Sequence, residues 1–550
     1  MQLVLAEEST FLDQELTVIG LLAVAAVMAI VVQRVKLPYT VALVVVGGVL
    51  AFFPNFVDLD IPPELILGLL VPPLLFEATL HLPWSRLRAD LLPVLLLAIF
   101  GTLASTFLVA WAVWALVGLP WVVSVAFGAL ISATDPVAVI AFFKTLGVSK
   151  RLAVLVEGES LFNDAVAIVA FNLAIAAGEP GKGFGLSDAL GEFLLVGLGG
   201  LAVGVVLGLV VSQVILARVD DPLIETTTTL ALAFASFLVA EEFGVIFGID
   251  DFHLSGILAV VAAGLVVGNL GFGNTSPSTR ITLENFWVVL AFLANSMVFL
   301  IIGLEIDLSE LRPNLVDVLV AIGAVVLARL LLVYGTAVVH RSLQPGRRIP
   351  LGFQHVQYWG GLRGAISLAL ALTLAEEDLE QAVVDDVLLM TFGVVLFTLL
   401  VQGTTMGTLI DRLGLGGVAV NEEEQQRRQA RVYALRAGRE ELSNLGRSGV
   451  LFADMATAMS SNYDRQLADA QGDLGEHFRR HPELEVSMLL QARRDALLAE
   501  RSAVSDLERR GLVNDGVAHE LITELDNRLA ALDLIEERWE SDTHPGPAPT

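Results

Sequence analysis

The chain has 550 residues, of which 55% are hydrophobic and only 17% are charged, and its mean hydropathy is +0.71. A soluble globular protein carries more charge than this, so the composition argues against that class. The formal net charge of −27 without a basic patch argues against nucleic-acid binding, and the absence of cysteine excludes disulfides, thiolate metal sites and cysteine nucleophiles.

Apolar runs of roughly 18–25 residues recur from Leu16 to about Ile410, and each is long enough to cross a bilayer core of about 30 Å. We therefore predict an all-α membrane protein with about thirteen membrane-spanning helices. The predicted spans are 16–34, 38–53, 62–80, 91–116, 121–143, 153–177, 190–216, 226–241, 254–270, 284–304, 314–339, 350–375 and 384–410. The N-terminus is acidic where a secretory signal would be basic, so the first run is predicted to be a retained helix.

The basic residues of the loops indicate how these spans are oriented. One set of alternate loops, with the segment after the last span, contains Arg34, Lys36, Arg86, Arg88, Lys144, Lys150, Arg151, Arg218, Arg280, Arg341, Arg347, Arg348 and Arg412. The other set contains only Lys182 and Arg312. Because cytoplasmic loops are the ones rich in Lys and Arg, we predict a multi-pass plasma-membrane protein with its N-terminus outside and its C-terminus in the cytoplasm.

The C-terminal part of the chain has a different composition. Its apolar residues are fewer and spaced as in amphipathic helices, for example Leu521, Leu525, Leu529 and Leu532. We divide the chain into a transmembrane domain, residues 1–416, and a soluble, helical, acidic cytoplasmic tail, residues 417–550. A regulatory role is one hypothesis for this tail, and its ligand is open.

Charged residues inside the predicted spans are candidate functional residues. Each costs roughly 2.5–3.5 kcal/mol or more at the centre of a span, so it needs a reason to be there. In this sequence they are Glu77, Asp135, Glu157, Glu159, Asp164, Arg329 and Arg363.

Span five contains Asp135 directly before Pro136, in the segment Ser132-Ala-Thr-Asp-Pro-Val137. The proline lacks an N–H group and disfavours helical dihedral angles at Asp135, so the span is predicted to be a broken helix. The carbonyl groups freed between Ser132 and Thr134 are candidate cation ligands. The Asp135 carboxylate would lie at the positive end of the second half-helix.

Span six contains four polar residues at helical spacing. Ser160 and Asp164 are four residues apart and share one face, and Glu159 and Asn163 share the adjacent face. A carboxylate and a hydroxyl offer oxygen ligands for a hard cation. The alternative is a purely structural polar network.

Span twelve contains Arg363 among the glycines Gly360, Gly361 and Gly364, which suggests a second broken helix. We expect Arg363 to cap the C-terminal end of a half-helix, with Glu159 as its ion-pair partner. Arg329 is expected to be structural.

The two predicted breaks occupy the same position in two six-helix halves, spans one to six and eight to thirteen. An offset of seven spans inverts the topology, and inverted repeats with matched broken helices are typical of the midplane site of a secondary transporter. Glu77, after Pro72-Pro73, is a third acidic candidate that joins the ion site, gates access to it or pairs elsewhere.

These residues resemble a known family. Thr134-Asp135-Pro136, Gly158-Glu-Ser-Leu-Phe-Asn-Asp164 and Gly360-Gly-Leu-Arg-Gly364 are similar to motifs of the electroneutral sodium/proton exchanger branch of the monovalent cation:proton antiporters. Supporting segments are Leu254-Ser-Gly-Ile-Leu-Ala259 and Phe286–Ser296, and the resemblance covers about residues 15–415. Asn163-Asp164 matches the electroneutral pattern, because electrogenic relatives have two aspartates there.

The resemblance implies a homodimer in which a core domain moves against a dimerisation domain. It implies that Asp135, Asp164, Ser160 and the Thr134 backbone surround Na⁺, with Glu77 nearby. It also implies that Asn163 and Glu159 pack with Arg363 as a supporting network.

The hypothesis from the sequence is therefore an antiporter in which Na⁺ or Li⁺ competes with H⁺ for a buried aspartate pair, without a cofactor and without enzymatic activity. It would exchange ions electroneutrally, by alternating access, and serve pH homeostasis. A K⁺/H⁺ antiporter is the alternative, since the ligand set does not separate the alkali cations. A cation channel and an intramembrane aspartic protease are further alternatives, and the context of the two aspartates argues against the protease.

Overall fold

The structure is a computed structural model, and it describes residues 19–32, 39–51, 66–178, 186–249, 252–273, 275–304, 314–344, 348–374, 379–416, 418–448, 452–480, 482–509 and 512–543. All regular secondary structure in these ranges is helical. The helices of the first part of the apolar region are α1 (Ile19–Val32), α2 (Tyr39–Leu50), α3 (Ile66–Leu80), α4 (Trp84–Ala89), α5 (Leu91–Leu116), α6 (Trp121–Leu130), α7 (Val137–Leu146) and α8 (Lys150–Gly178).

The remaining helices of the apolar region are α9 (Leu186–Val210), α10 (Pro222–Glu241), α11 (Phe243–Phe247), α12 (Gly256–Gly271), α13 (Pro277–Leu304), α14 (Leu315–Leu343), α15 (Leu351–Trp359), α16 (Ala365–Thr373) and α17 (Gln381–Arg412). A π-helical turn, Val211–Ile215, continues α9. The polar C-terminal region forms α18 (Val418–Arg447), α19 (Ala453–Arg480), α20 (Pro482–Arg509) and α21 (Asp515–Thr543).

Within the described ranges, seven helices are long and apolar enough to cross a membrane, and these comprise α5, α8, α10, α14, α17 and most of α9 and α13. The other predicted spans coincide with shorter apolar helices or with pairs of half-helices. The all-helical membrane fold is thus confirmed, and the number of crossings stays a prediction. Residues 179–185 and 305–313, which hold Lys182 and Arg312, lie outside the described residues.

The two predicted broken helices are present. Span five is divided into α6 and α7, and span twelve is divided into α15 and α16. Helix α5 packs against α6, α8 and α14, and α14 packs against α17, so these helices form one group around the breaks. Helices α2, α3, α9, α10, α12 and α13 pack mainly on one another and form a second group.

The N-terminal end of α8 is anchored by an ion pair. Arg151 donates through Nε and Nη2 to the two carboxylate oxygens of Asp90, with both distances at 2.9 Å. Asp90 is buried at the start of α5. Bidentate pairs of this kind restrict orientation as well as distance, so the contact fixes where α8 enters the bundle.

The chain separates into two compact units, Met1–Lys144 with Ser149–Leu413, and Thr145–Val148 with Gly414–Thr550. Within the second unit, α18 packs on α19 and α20 packs on α21. Of the four leucines of the predicted apolar face of α21, Leu525 and Leu532 are buried and Leu529 is partly buried, whereas Leu521 is 40% exposed. The tail is therefore helical as predicted, and its function is not determined by its fold.

Candidate functional site

The two broken helices meet at their breaks. The backbone N–H of Asp135, between α6 and α7, donates to the carbonyl oxygen of Leu362, between α15 and α16, at 2.8 Å. The restriction that Pro136 imposes on Asp135 leaves this N–H outside a helix and free to make the contact. The crossing brings the Thr134-Asp135-Pro136 segment next to Arg363.

Arg363 caps the C-terminal end of α6, as predicted. Its Nη1 donates to the carbonyl oxygens of Ser132 at 3.0 Å and of Ala133 at 2.9 Å. Ser367 Oγ donates to the carbonyl oxygen of Leu130 at 2.7 Å. The last carbonyl groups of a helix have no partners within it, so a buried break needs donors of this kind.

Thr134 is held by α8. The Asn163 amide donates through Nδ2 to Thr134 Oγ1 at 2.6 Å, and Asn163 Oδ1 accepts the Thr134 backbone N–H at 3.3 Å. Ser160 Oγ donates to the Thr134 carbonyl oxygen. Two of the predicted ligand atoms, Ser160 Oγ and Thr134 O, are therefore adjacent, and each keeps a lone pair for a cation.

The two aspartates are close in sequence to the residues of this contact, since Asp135 follows Thr134 and Asp164 follows Ser160 by four residues. Asp135 Oδ1 accepts the Val137 backbone N–H at 2.9 Å, which places the carboxylate at the N-terminus of α7. Asp164 is 8% exposed and lies one turn after Ser160 on α8, near enough to Asp135 and Arg363 to interact electrostatically. The structure thus brings together two carboxylates, a hydroxyl and a carbonyl, which are the oxygen ligands that a hard cation prefers.

The predicted pairing of Glu159 with Arg363 is wrong. Glu159 forms its ion pair with Arg329 of α14, and Arg329 also donates through Nη2 to the Gln357 carbonyl oxygen at 2.9 Å. The guanidinium of Arg363 is occupied by the end of α6 instead. Among the described residues, Arg363 has no carboxylate ion-pair partner.

Glu77 belongs to a second charged group. On α3 it lies 3.5 Å from His81 Nδ1, and its side chain is partly exposed. Lys144 and Glu157 are close enough to act on it or on each other electrostatically. Glu157 precedes Asp164 by seven residues on α8, about two helical turns. The participation of Glu77 in cation binding stays a prediction.

Sequence reasoning missed two residues that support the break. Thr398 Oγ1, in a π-helical turn of α17, accepts the Arg363 backbone N–H at 3.1 Å, and Ser367 caps α6. Both are hydroxyl residues inside apolar spans, and this feature of the sequence could have identified them as candidates. In the described ranges no group of three or more His, Cys, Asp or Glu side chains could hold a metal ion.

The chain is similar to known proteins over most of its length. Residues 21–412 match the family model of the transmembrane sodium/hydrogen exchangers. The chain is 39% identical over 414 residues to the Na⁺/H⁺ antiporter ApNhaP of Aphanothece halophytica, covering 74% of each chain. It is 34% identical over 513 residues to the Na⁺/H⁺ antiporter NhaG of Bacillus atrophaeus, covering 90% of this chain and 93% of that relative.

The fold is similar to a solved structure. The sodium proton antiporter MjNhaP1 from Methanocaldococcus jannaschii, determined at pH 8, superposes with a TM-score of 0.61 and 22% sequence identity. The superposition covers 76% of this chain and 100% of that chain. The fold of this chain is therefore similar to that of a solved structure.

Proposed function

Because the chain belongs to the sodium/hydrogen exchanger family, we propose that it is a secondary antiporter that exchanges Na⁺ for H⁺ across the plasma membrane. The observation that carries this proposal is the meeting of the partly buried Asp135 with the buried residues Asp164, Ser160 and Thr134 at the crossing of two broken helices. The relatives named Na⁺/H⁺ antiporters support Na⁺, and none of those cited supports K⁺.

The residues have separate roles in this proposal. Asp164 binds either H⁺ or the cation, and Asp135, Ser160 and the Thr134 carbonyl complete the cation's oxygen shell. Asn163 positions Thr134 through its two hydrogen bonds. Glu77 acts at the approach to this site, where its partly exposed position beside His81 suits a transient ligand.

The charges around the site explain how Na⁺ transport is coupled to H⁺ transport. Glu159 and Arg329 form an ion pair whose formal charges cancel, so the net formal charge of the site is the sum over Asp135, Asp164 and Arg363. With both aspartates ionised their sum is one negative charge, so binding one Na⁺ or one H⁺ makes the site neutral. Moving an unpaired charge through a low-dielectric interior costs several kcal/mol, so the loaded forms move and the empty form does not. Exchange is then one-for-one and electroneutral.

The same proposal includes the molecular setting. The protein is a homodimer whose helix group around the breaks moves against the second group, with the N-terminus outside and the tail in the cytoplasm. It serves pH homeostasis. Residues 1–416 carry out ion transport, and residues 417–550 regulate it. The alignment with NhaG covers 90% of this chain, so it includes much of the tail as well as the transmembrane domain.

The test is ion flux in proteoliposomes that contain the purified full-length protein and an internal pH-sensitive dye. External Na⁺ and Li⁺ should each dissipate a preset proton gradient, and K⁺ should do so much more weakly. A larger response to K⁺ than to Na⁺ would make the protein a K⁺/H⁺ antiporter. Na⁺ current without proton movement would indicate a channel.

A further inference from the structure

Gly364 lies directly against the side chain of Asp135. It precedes α16 with φ −133° and ψ −153°, an extended conformation that does not require glycine. The reason for a glycine here is therefore space rather than backbone freedom.

The available space is very small. A Cβ atom placed on Gly364 would lie 2.5 Å from Asp135 Cβ and 2.8 Å from Asp135 Cγ, and closer still to Oδ2. Non-bonded carbon atoms are normally about 3.5–4.0 Å apart, so any side chain at position 364 would displace Asp135.

Asp135 has little freedom to absorb this displacement. Its backbone N–H is bound to Leu362 O at 2.8 Å, and its Oδ1 is bound to the Val137 N–H at 2.9 Å. Among the described residues, Oδ2 accepts no hydrogen bond, so it is the oxygen left for a cation. This oxygen is the one that faces Gly364.

We infer that Gly364 is a positioning residue that sets where Asp135 Oδ2 stands relative to Asp164 and Ser160, and thereby sets cation affinity and size selectivity. The inference rests on the proposed cation site. Gly364 has no group that binds the cation, and it acts only through the space that it leaves for Asp135.

The test is Gly364→Ala, assayed in proteoliposomes for Na⁺/H⁺ and Li⁺/H⁺ exchange. We expect the KM for Na⁺ to rise about tenfold, which corresponds to a small displacement of one ligand. The ratio of the KM values for Li⁺ and Na⁺ should change at least about threefold, because ions of different radius respond unequally to a moved oxygen. The maximal rate should change less than the KM.

Gly403→Ala is the matched control. Gly403 is also buried, on the helix that packs beside Leu362, but an added Cβ there meets only ordinary contacts, with the nearest atom, Thr398 O, at 3.7 Å. This control should keep the parental KM for both ions. A Gly364→Ala protein with parental KM values and ion ratio would overturn the inference, and so would a loss confined to the maximal rate.

A second measurement does not need transport. If the clash is with Asp135, the melting temperature lost in Gly364→Ala should be largely recovered when Asp135→Gly removes the opposing side chain, as a double-mutant cycle measures. Additive losses, or a double variant that is no better folded than Gly364→Ala, would contradict the proposed contact. Absence of exchange by the parental protein would refute the antiporter proposal instead.

Discussion

The carboxylate of Glu159 on α8 forms an ion pair with the guanidinium of Arg329 on α14, across 170 residues of sequence. Both side chains are mostly buried, at 3% and 13% exposure. The formal charges of this pair cancel, and both groups lie near enough to Arg363 to act on it electrostatically. Arg363 is also near enough to Asp164 to interact with it electrostatically.

The first prediction concerns that pair. Removing either partner of a buried ion pair typically destabilises by about 3–5 kcal/mol, because the other charge stays unpaired. Glu159→Ala and Arg329→Ala should each lower the melting temperature in detergent, and the double variant should lose less than the sum. The combination of Glu159→Ala with Arg363→Ala serves as the control and should show the smaller coupling. Additive losses for Glu159 and Arg329 would contradict the pairing.

The second prediction concerns the aspartates. Asp164→Asn should abolish exchange while the protein stays folded, because the group that binds either ion is lost. Asp135→Asn should have nearly the same effect. Asp411→Asn, at an exposed position near the end of α17, is the matched control and should keep parental activity. Normal exchange by purified Asp164→Asn would refute the mechanism.

The third prediction is the pH dependence. If H⁺ and Na⁺ compete for Asp164, binding of the cation releases a proton, so lower pH weakens cation binding. The KM for Na⁺ should rise as pH falls and approach tenfold per unit at the acidic end, while the rate at saturating Na⁺ changes little. Steady-state flux at several pH values with equal pH on both sides measures this. A constant KM over a range in which the rate itself falls would show that H⁺ acts elsewhere.

The fourth prediction is the effect of voltage. Each elementary charge moved across the membrane is worth roughly 2.3 kcal/mol per 100 mV, so an electrogenic cycle responds strongly to potential. Since one H⁺ and one Na⁺ each neutralise the same site, Na⁺-driven proton flux should be independent of a clamped potential. A systematic dependence would mean that a second proton moves, and Glu77 would be the next residue to change.

The fifth prediction concerns the tail. A chain that ends at residue 416 should keep Na⁺/H⁺ exchange but show a shifted pH or ligand dependence. The polar groups assigned above to the site lie between α3 and α17. A correctly folded truncated protein without activity would make the tail part of the transport machinery.

Much of the site could be predicted because local chemistry determines it. Pro136 breaks span five wherever that span packs, since it restricts its neighbour and lacks an N–H. Ser160 and Asp164 share a face because helical periodicity places them there. The capping role of Arg363 also followed from its position beside a predicted break.

Tertiary structure decided the partners. Arg329 and Arg363 were both possible ion-pair partners for Glu159. The sequence contains no information on the distance from α8 to α14 or to the second break. Because α14 packs against α5, Arg329 lies where it can pair with Glu159. Because the two breaks pack against each other, Arg363 lies where it can donate to the carbonyl groups at the end of α6. The contact of Gly364 with Asp135 is of the same kind. Backbone restrictions act between neighbouring residues and can be recognised in the sequence, whereas the partner of a buried charge depends on how helices distant in sequence approach one another.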